Sequence, residues 1–185
     1  GHISIARAAL KAEFPARFQL VAAMNPCPCG YLGDPAGRCR CTPEQVRRYR
    51  GRLSGPLLDR IDLHVELPPV AHELLLANEH AGAEPSAAVR ERVAAAQQRQ
   101  LARAGCLNAR LDAAGLRRHA RLTEPQQQFL ARAIGTLGLS ARATHRVLRI
   151  ARTCADLAGS DALDMPHLAE ALQYRLLDRR QQAGY

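Results

Sequence analysis

Four cysteines crowd into one short stretch of this chain: Cys27, Cys29, Cys39 and Cys41, spaced C-x-C, nine residues, C-x-C. Four thiols on one short loop could close around one zinc ion as a Cys₄ site. The spacing departs from the usual C-x₂-C, so each pair needs a bend; Pro28 and the glycines at 30, 33 and 37 can supply it. Four free thiols, or a labile disulfide, are the competing readings. Cys106 and Cys154 stand apart and read as small packed apolar residues. The histidines at 2, 64, 72, 80, 119, 145 and 167 are scattered, with no H-x-x-x-H pair and no Ser-His-Asp order. An independent hydrolase is therefore not expected.

Three further polar residues merit weighing. Asn25 follows the apolar run Arg17–Met24, and the ends of buried strands are where α/β sheets present ligand-contacting groups. A loop Asn that caps a turn is the plainer alternative. Arg60 follows Leu57-Leu58-Asp59, where an ion pair with Asp59 or Asp62 would be ordinary. Arg142 opens a helix, where a cation opposes the helix dipole and so invites a functional reason.

The elements that must position these residues fall into two styles. His2–Ala6, Arg17–Met24 and Ile61–Leu67 read as strands; the last alternates Ile61, Leu63, Val65, Leu67 against Asp62, His64 and Glu66. Pro26 restricts Asn25 and ends the second run. A helix starts near Pro43 behind the capping box Thr42-Pro43-Glu44-Gln45. Residues 71–85 read as a linker with a short helical stretch at His72–Asn78.

From Ser86 onward the pattern is helical throughout. Ser86–Ala104 ends at Gly105, a weak helix covers Leu111–Ala120, and a third starts behind Thr123 and stops at Gly138. Ser140 caps a fourth running to about Ala158, and Asp164 caps the last. On the fourth helix Arg142, Arg146 and Arg149 share one face, read as solvated or interface residues apart from Arg142. Ala143, Val147, Ile150, Ala151 and Cys154 form the opposite apolar face. The expected fold class is α+β but mainly α, a strand-containing piece followed by a helical bundle.

Composition bounds the function. The formal charge is +9 over 185 residues, and Lys11 is the only lysine. Such a basic surface favours phosphate-bearing partners, nucleotide or nucleic acid; a GC-rich genome that writes Arg where others write Lys is the bland alternative to a functional Arg bias. No apolar run approaches the ~18 residues of a membrane span, and no signal peptide opens the chain. The expectation is a cytoplasmic protein with no membrane partner, in which cysteines are thiols or metal ligands.

Several ordered strings resemble one family. They are Ala23-Met24-Asn25-Pro26-Cys27-Pro28-Cys29-Gly30, then Thr42-Pro43-Glu44-Gln45 with Arg48-Tyr49, then Leu53-Ser54-Gly55-Pro56-Leu57-Leu58-Asp59-Arg60-Ile61-Asp62. Leu139-Ser140-Ala141-Arg142-Ala143, Arg146, Ala151-Arg152-Thr153, Ala155-Asp156-Leu157 and the closing His167-Leu168, Glu170-Ala171, Tyr174-Arg175 continue them. Together they resemble magnesium-chelatase-like AAA+ ATPases of the ComM/YifB type, over nearly the whole chain.

The resemblance implies the C-terminal part of an AAA+ α/β core in residues 1–70, a linker at 71–85 and a helical lid in 86–185. It implies Asn25 as sensor 1, Arg60 as an arginine finger reaching a neighbouring subunit, and Arg142 as sensor 2, with Asn25 and Arg142 at the nucleotide. It also implies ATP and magnesium in the parent protein, assembly into a ring such as a hexamer, and DNA as a partner. The 185 residues contain no G-x-x-x-x-G-K-[ST] string. The phosphate loop and the acidic magnesium strand are therefore expected upstream of residue 1, which would leave this chain without turnover of its own. Two activities stay open for the parent: a DNA motor of branch migration in natural transformation, or a chelatase-like ATPase that remodels a protein or aids magnesium insertion.

Overall fold

A computed structural model describes residues 1–7, 10–68, 70 and 84–175. The chain divides into two compact units, Gly1–Arg52 and Leu53–Tyr185. The helical stretch expected at His72–Asn78, and most of the linker 71–85, lie outside the described residues.

The first unit opens with an antiparallel hairpin. Strand β1 (His2–Arg7) pairs with β2 (Leu10–Pro15) in a register running from His2↔Pro15 to Arg7↔Leu10. Both strands are largely exposed. The strand expected at the start is present, and β2, which lacks a clean alternation, joins it. The strand expected over Arg17–Met24 is absent: the segment is irregular, with Phe18, Leu20 and Val21 exposed. A strand must place its N–H and C=O groups on neighbours, and among the described residues the only sheet is the two-stranded hairpin. After the cysteine loop comes α1 (Pro43–Arg50), whose N-terminus closes as its sequence predicts. The Thr42 hydroxyl accepts from the Gln45 N–H, and the Gln45 side chain accepts from the Thr42 N–H.

The second unit is a helical assembly. A single turn, α2 (Gly55–Leu58), is capped by Ser54. It is followed by α3 (Ser86–Ala104), α4 (Ala113–His119), α5 (Glu124–Leu137), α6 (Ala141–Leu157) and α7 (Met165–Gln173). A 3₁₀ turn at Asn108–Arg110 leads into α4. The stops are local: Gly105 and Gly138 take left-handed conformations, φ 67° and 60°, that a side chain would oppose. Helix α6 lies at the centre, packing on α3, α4 and α7. Its Ala143, Val147, Ala151 and Ala155 are fully buried or nearly so, as is Ala171 of α7. Small residues at the contact let helix axes approach closely, and leucines 116, 130, 137, 168 and 172 fill the space around them.

The strand expected over Ile61–Leu67 is also absent. Leu63, Val65 and Leu67 are 49%, 60% and 86% exposed, so the alternating pattern buries no face among the described residues. Here the backbone bonds outward to a helix end: the His64 N–H donates to the Tyr174 carbonyl at 2.9 Å.

Candidate functional site

The cysteine loop is built from consecutive turns. The N–H groups of Gly30, Asp34 and Gly37 donate to the carbonyls of Cys27, Tyr31 and Asp34, each at 3.0 Å. The first turn folds Cys27-Pro28-Cys29 back on itself, because Gly30 accepts φ 83°. Its consequence is chemical: the Cys27 and Cys29 sulfurs lie 3.4 Å apart. Asp34 and Arg38 close the far end with paired contacts of 2.9 and 3.0 Å. The hydrogen bond from Arg38 holds the Asp34 carboxyl below its ordinary range. Arg50 ties α1 to the loop by donating to the Pro26 carbonyl at 3.1 Å.

All four sulfurs fall within 4.8 Å of one another. Cys27 and Cys39 are 3.8 Å apart, and Cys29 and Cys39 3.7 Å. These are not disulfide distances, which are about 2.05 Å. A tetrahedral zinc with bonds of about 2.3 Å would hold its sulfurs about 3.8 Å apart, so the donor set fits such an ion.

The thiols also divide in acidity. Hydrogen bonding from the Tyr31 and Arg40 backbone lowers Cys29 to about 6. For Cys41 the Cys29 N–H lowers the pKa, but the contact with the Cys29 sulfur, burial and the charge of Cys27 outweigh it and push the thiol up to about 12. Four thiolates so close together would repel one another, and a bound cation would relieve that repulsion.

A second set of contacts surrounds Arg60. Its Nη1 donates to the Pro56 carbonyl at 2.7 Å, and the guanidinium is exposed. The two acids beside it are held by other arginines. Arg146 of α6 donates to the Asp59 carbonyl and lies 3.1 Å from the Asp62 carboxylate. Arg175, wholly buried, donates to the Ile61 carbonyl and lies 3.5 Å from the Asp59 carboxylate. The segment that presents Arg60 is thus gripped by Arg175, just past the end of α7, and by the second turn of α6. Arg142 stands one turn earlier on α6 and is exposed. Asn25 is exposed and belongs to the first unit, with its amide 3.8 Å from where a side chain at Gly30 would begin. Arg60 and Arg142 therefore share one unit, and Asn25 lies in the other.

Of the two readings open for Arg146 and Arg149, solvated or interface, the solvated one does not hold. Both are partly buried and serve backbone carbonyls; Arg149 donates twice to Leu111, at 2.9 and 2.7 Å. Sequence reasoning also missed a buried cluster under α6. Asp156, with no exposure, receives Arg103 at 2.5 and 2.8 Å, Asn108 at 2.8 Å and Arg152 at 3.0 Å. Burial alone would raise the Asp156 carboxyl; hydrogen bonds from Arg103 and Asn108 and the two guanidinium charges outweigh it and lower it. The i, i+4 spacing of Arg152 and Asp156 was the available signal. Cys154 is buried and pushed up to about 12 by that burial, and Cys106 packs against the core. Both are the small packed residues expected.

Among the described residues no helix is long and apolar enough to cross a membrane.

Comparison with known proteins agrees along the chain. Residues 1–75 match the family described as magnesium chelatase, subunit ChlI, and residues 83–175 match magnesium chelatase, subunit ChlI C-terminal. The chain is 47% identical over 179 residues to competence protein ComM of Haemophilus influenzae, covering 97% of this chain. It is also 47% identical over 180 residues to the Escherichia coli protein YifB, and 45% over 181 residues to YifB of Salmonella typhimurium, each covering 97% of this chain. It spans 35% of the length of each of these relatives. The chain belongs to the magnesium chelatase family, in its ComM/YifB branch.

Proposed function

We propose that this chain is the sensor and finger portion of a ring-forming AAA+ motor that hydrolyses ATP to act on DNA. In this reading residues 1–70 belong to the ATPase core, 71–85 link, and 86–185 form the lid. The observation that carries it is the grip of Arg146 and Arg175 on the Asp59–Asp62 segment. It frees Arg60 from both neighbouring acids and ties it to the helix that bears Arg142. An arginine finger needs such a guanidinium, exposed and paired with no acid, on a rigid mount, because it acts by neutralising charge that develops on the transferring phosphoryl group.

Asn25 would orient the attacking water or touch the γ-phosphate, and Arg142 would report nucleotide state to the lid. ATP and magnesium would be held mainly by parts of the parent protein that these 185 residues do not contain. Bound magnesium would supply further charge neutralisation at the phosphates. Cys27, Cys29, Cys39 and Cys41 would hold a structural zinc.

The relative's name, competence protein, and the net charge of +9 favour DNA as the partner. The family description, magnesium chelatase, favours a second reading in which the motor remodels a protein partner or aids magnesium insertion. The test is strand exchange on a branched DNA junction by the full-length protein. ATP-dependent migration, lost in Arg60→Ala, is expected; ATP hydrolysis indifferent to DNA, with no migration, would overturn the DNA reading in favour of the second.

A further inference from the structure

The cysteine loop and α1 concentrate positive charge. Residues 26–52 carry arginines 38, 40, 47, 48, 50 and 52 against two acids, Asp34 and Glu44. Arg38 is committed to Asp34, and Arg50 to the Pro26 carbonyl. The guanidinium groups of Arg40, Arg48 and Arg52 are exposed and have no hydrogen bond or ion pair among the described residues. These three line one open groove, with Cys29 and Cys41 below them and half-buried Tyr49 beside them. A second recess shares Cys29 and Arg40. There the exposed ring of Tyr31 carries the Arg38 guanidinium 4.6 Å from its centroid.

Unspent guanidinium groups beside tyrosine rings suit one polymer class. Phosphodiesters meet the arginines, and unpaired bases stack on the rings. In a duplex the base faces are hidden, so the aromatics would have no partner; an acidic peptide would need only the charge. The bland explanation is that the arginines offset a zinc–thiolate centre, which carries two negative charges. Six arginines against two acids exceed that requirement.

We propose that this groove binds a single nucleic-acid strand, with Arg40, Arg48 and Arg52 on successive phosphates and Tyr49 and Tyr31 as stacking platforms. The proposal rests on the DNA reading above and adds the place and the strandedness.

The experiment is fluorescence anisotropy of a labelled oligothymidylate of about sixteen nucleotides. It is titrated with the zinc-loaded 185-residue chain at several salt concentrations, with a matching duplex in parallel. Replacing Arg40, Arg48 and Arg52 together by Ala should flatten the slope of log K against log salt by about 2. Tyr49→Ala should weaken binding roughly tenfold and Tyr49→Phe should restore it. Retained zinc content checks that each variant is folded, and the triple Lys variant should keep most of the salt slope. Replacing exposed Arg117, Arg118 and Arg132 by Ala removes equal charge from the helical unit and should change little. Equal weakening by that control, or tighter binding of duplex than of single strand, would overturn this inference and leave the DNA reading standing. No salt-dependent binding by the chain would also overturn it, while junction migration by the full-length protein would still decide the DNA reading.

Discussion

Among the described residues of 1–52, Cys27 and Val46 are the only apolar side chains that are buried, whereas the helical unit buries a continuous cluster from Leu111 to Leu172. The first unit orders its loop with turns, an Asp34–Arg38 pair and four clustered sulfurs. The second orders itself with leucines, close-packed alanines and one buried ionic cluster. Apolar burial scales with area removed from water, and a loop with so little of it must draw its order from directional bonds. The two units should therefore fail under different insults, and the sharpest tests separate them.

The largest effect should come from the zinc proposed for the four thiols. Structural zinc contributes on the order of 10–16 kcal/mol of apparent free energy. Chelation, or Cys39→Ser, should release about one equivalent of zinc and open residues 26–42 to proteolysis. The helical signal by circular dichroism should keep its thermal midpoint. A loop equally protected with and without chelator, in protein whose four thiols alkylate freely, would remove the metal from the account and erase the contrast.

Next comes the Asp156 cluster. Asp156→Ala takes the carboxylate from Arg152, which is 1% exposed and keeps only the Ser160 and Asp161 carbonyls, and should cost the helical unit about 3–5 kcal/mol in urea unfolding. The pH dependence has a definite sign. The Asp156 carboxyl is lowered in the folded state, so its contribution is complete above the unfolded value of about 3.9. It is lost as pH falls through the folded value. The stability gap between wild type and Asp156→Asn should be constant near neutrality and narrow below about pH 4. A gap unchanged at lower pH would contradict the assignment.

Smaller still is the cap of α6. The Ser140 hydroxyl accepts from the Ala143 N–H at 3.1 Å, and Ser140→Ala should cost about 1 kcal/mol. That loss should appear in the helical unit's unfolding and leave zinc content untouched.

The same contrast explains what the sequence revealed. A helix satisfies its backbone within its own segment, so Thr42, Thr123, Ser140 and Asp164 announce starts, and Gly105 and Gly138 announce stops. A strand is completed elsewhere in the chain. Arg17–Met24 and Ile61–Leu67 have strand-like patterns without a ladder among the described residues, and local reading had no means to see that. The cysteine cluster was legible because its spacing is short and its glycines mark the bends. The roles of Arg146, Arg149 and Arg175 were not, because an arginine looks alike in sequence whether it meets water or a carbonyl far along the chain.

The functional claim rests on Arg60, and mixed subunits test it most directly. In the full-length protein, Arg60→Ala should abolish ATP hydrolysis while leaving nucleotide binding by a single subunit nearly normal, since a finger acts on a neighbour's transition state. Mixing Arg60→Ala subunits with subunits disabled in the phosphate loop should restore part of the activity, because some interfaces then pair an intact pocket with an intact finger. If Arg142 serves its own subunit's nucleotide, Arg142→Ala should be rescued little in the same mixture. Partial rescue for Arg60 without rescue for Arg142 is the predicted result; wild-type hydrolysis by Arg60→Ala alone, or no rescue in any mixture, would contradict it.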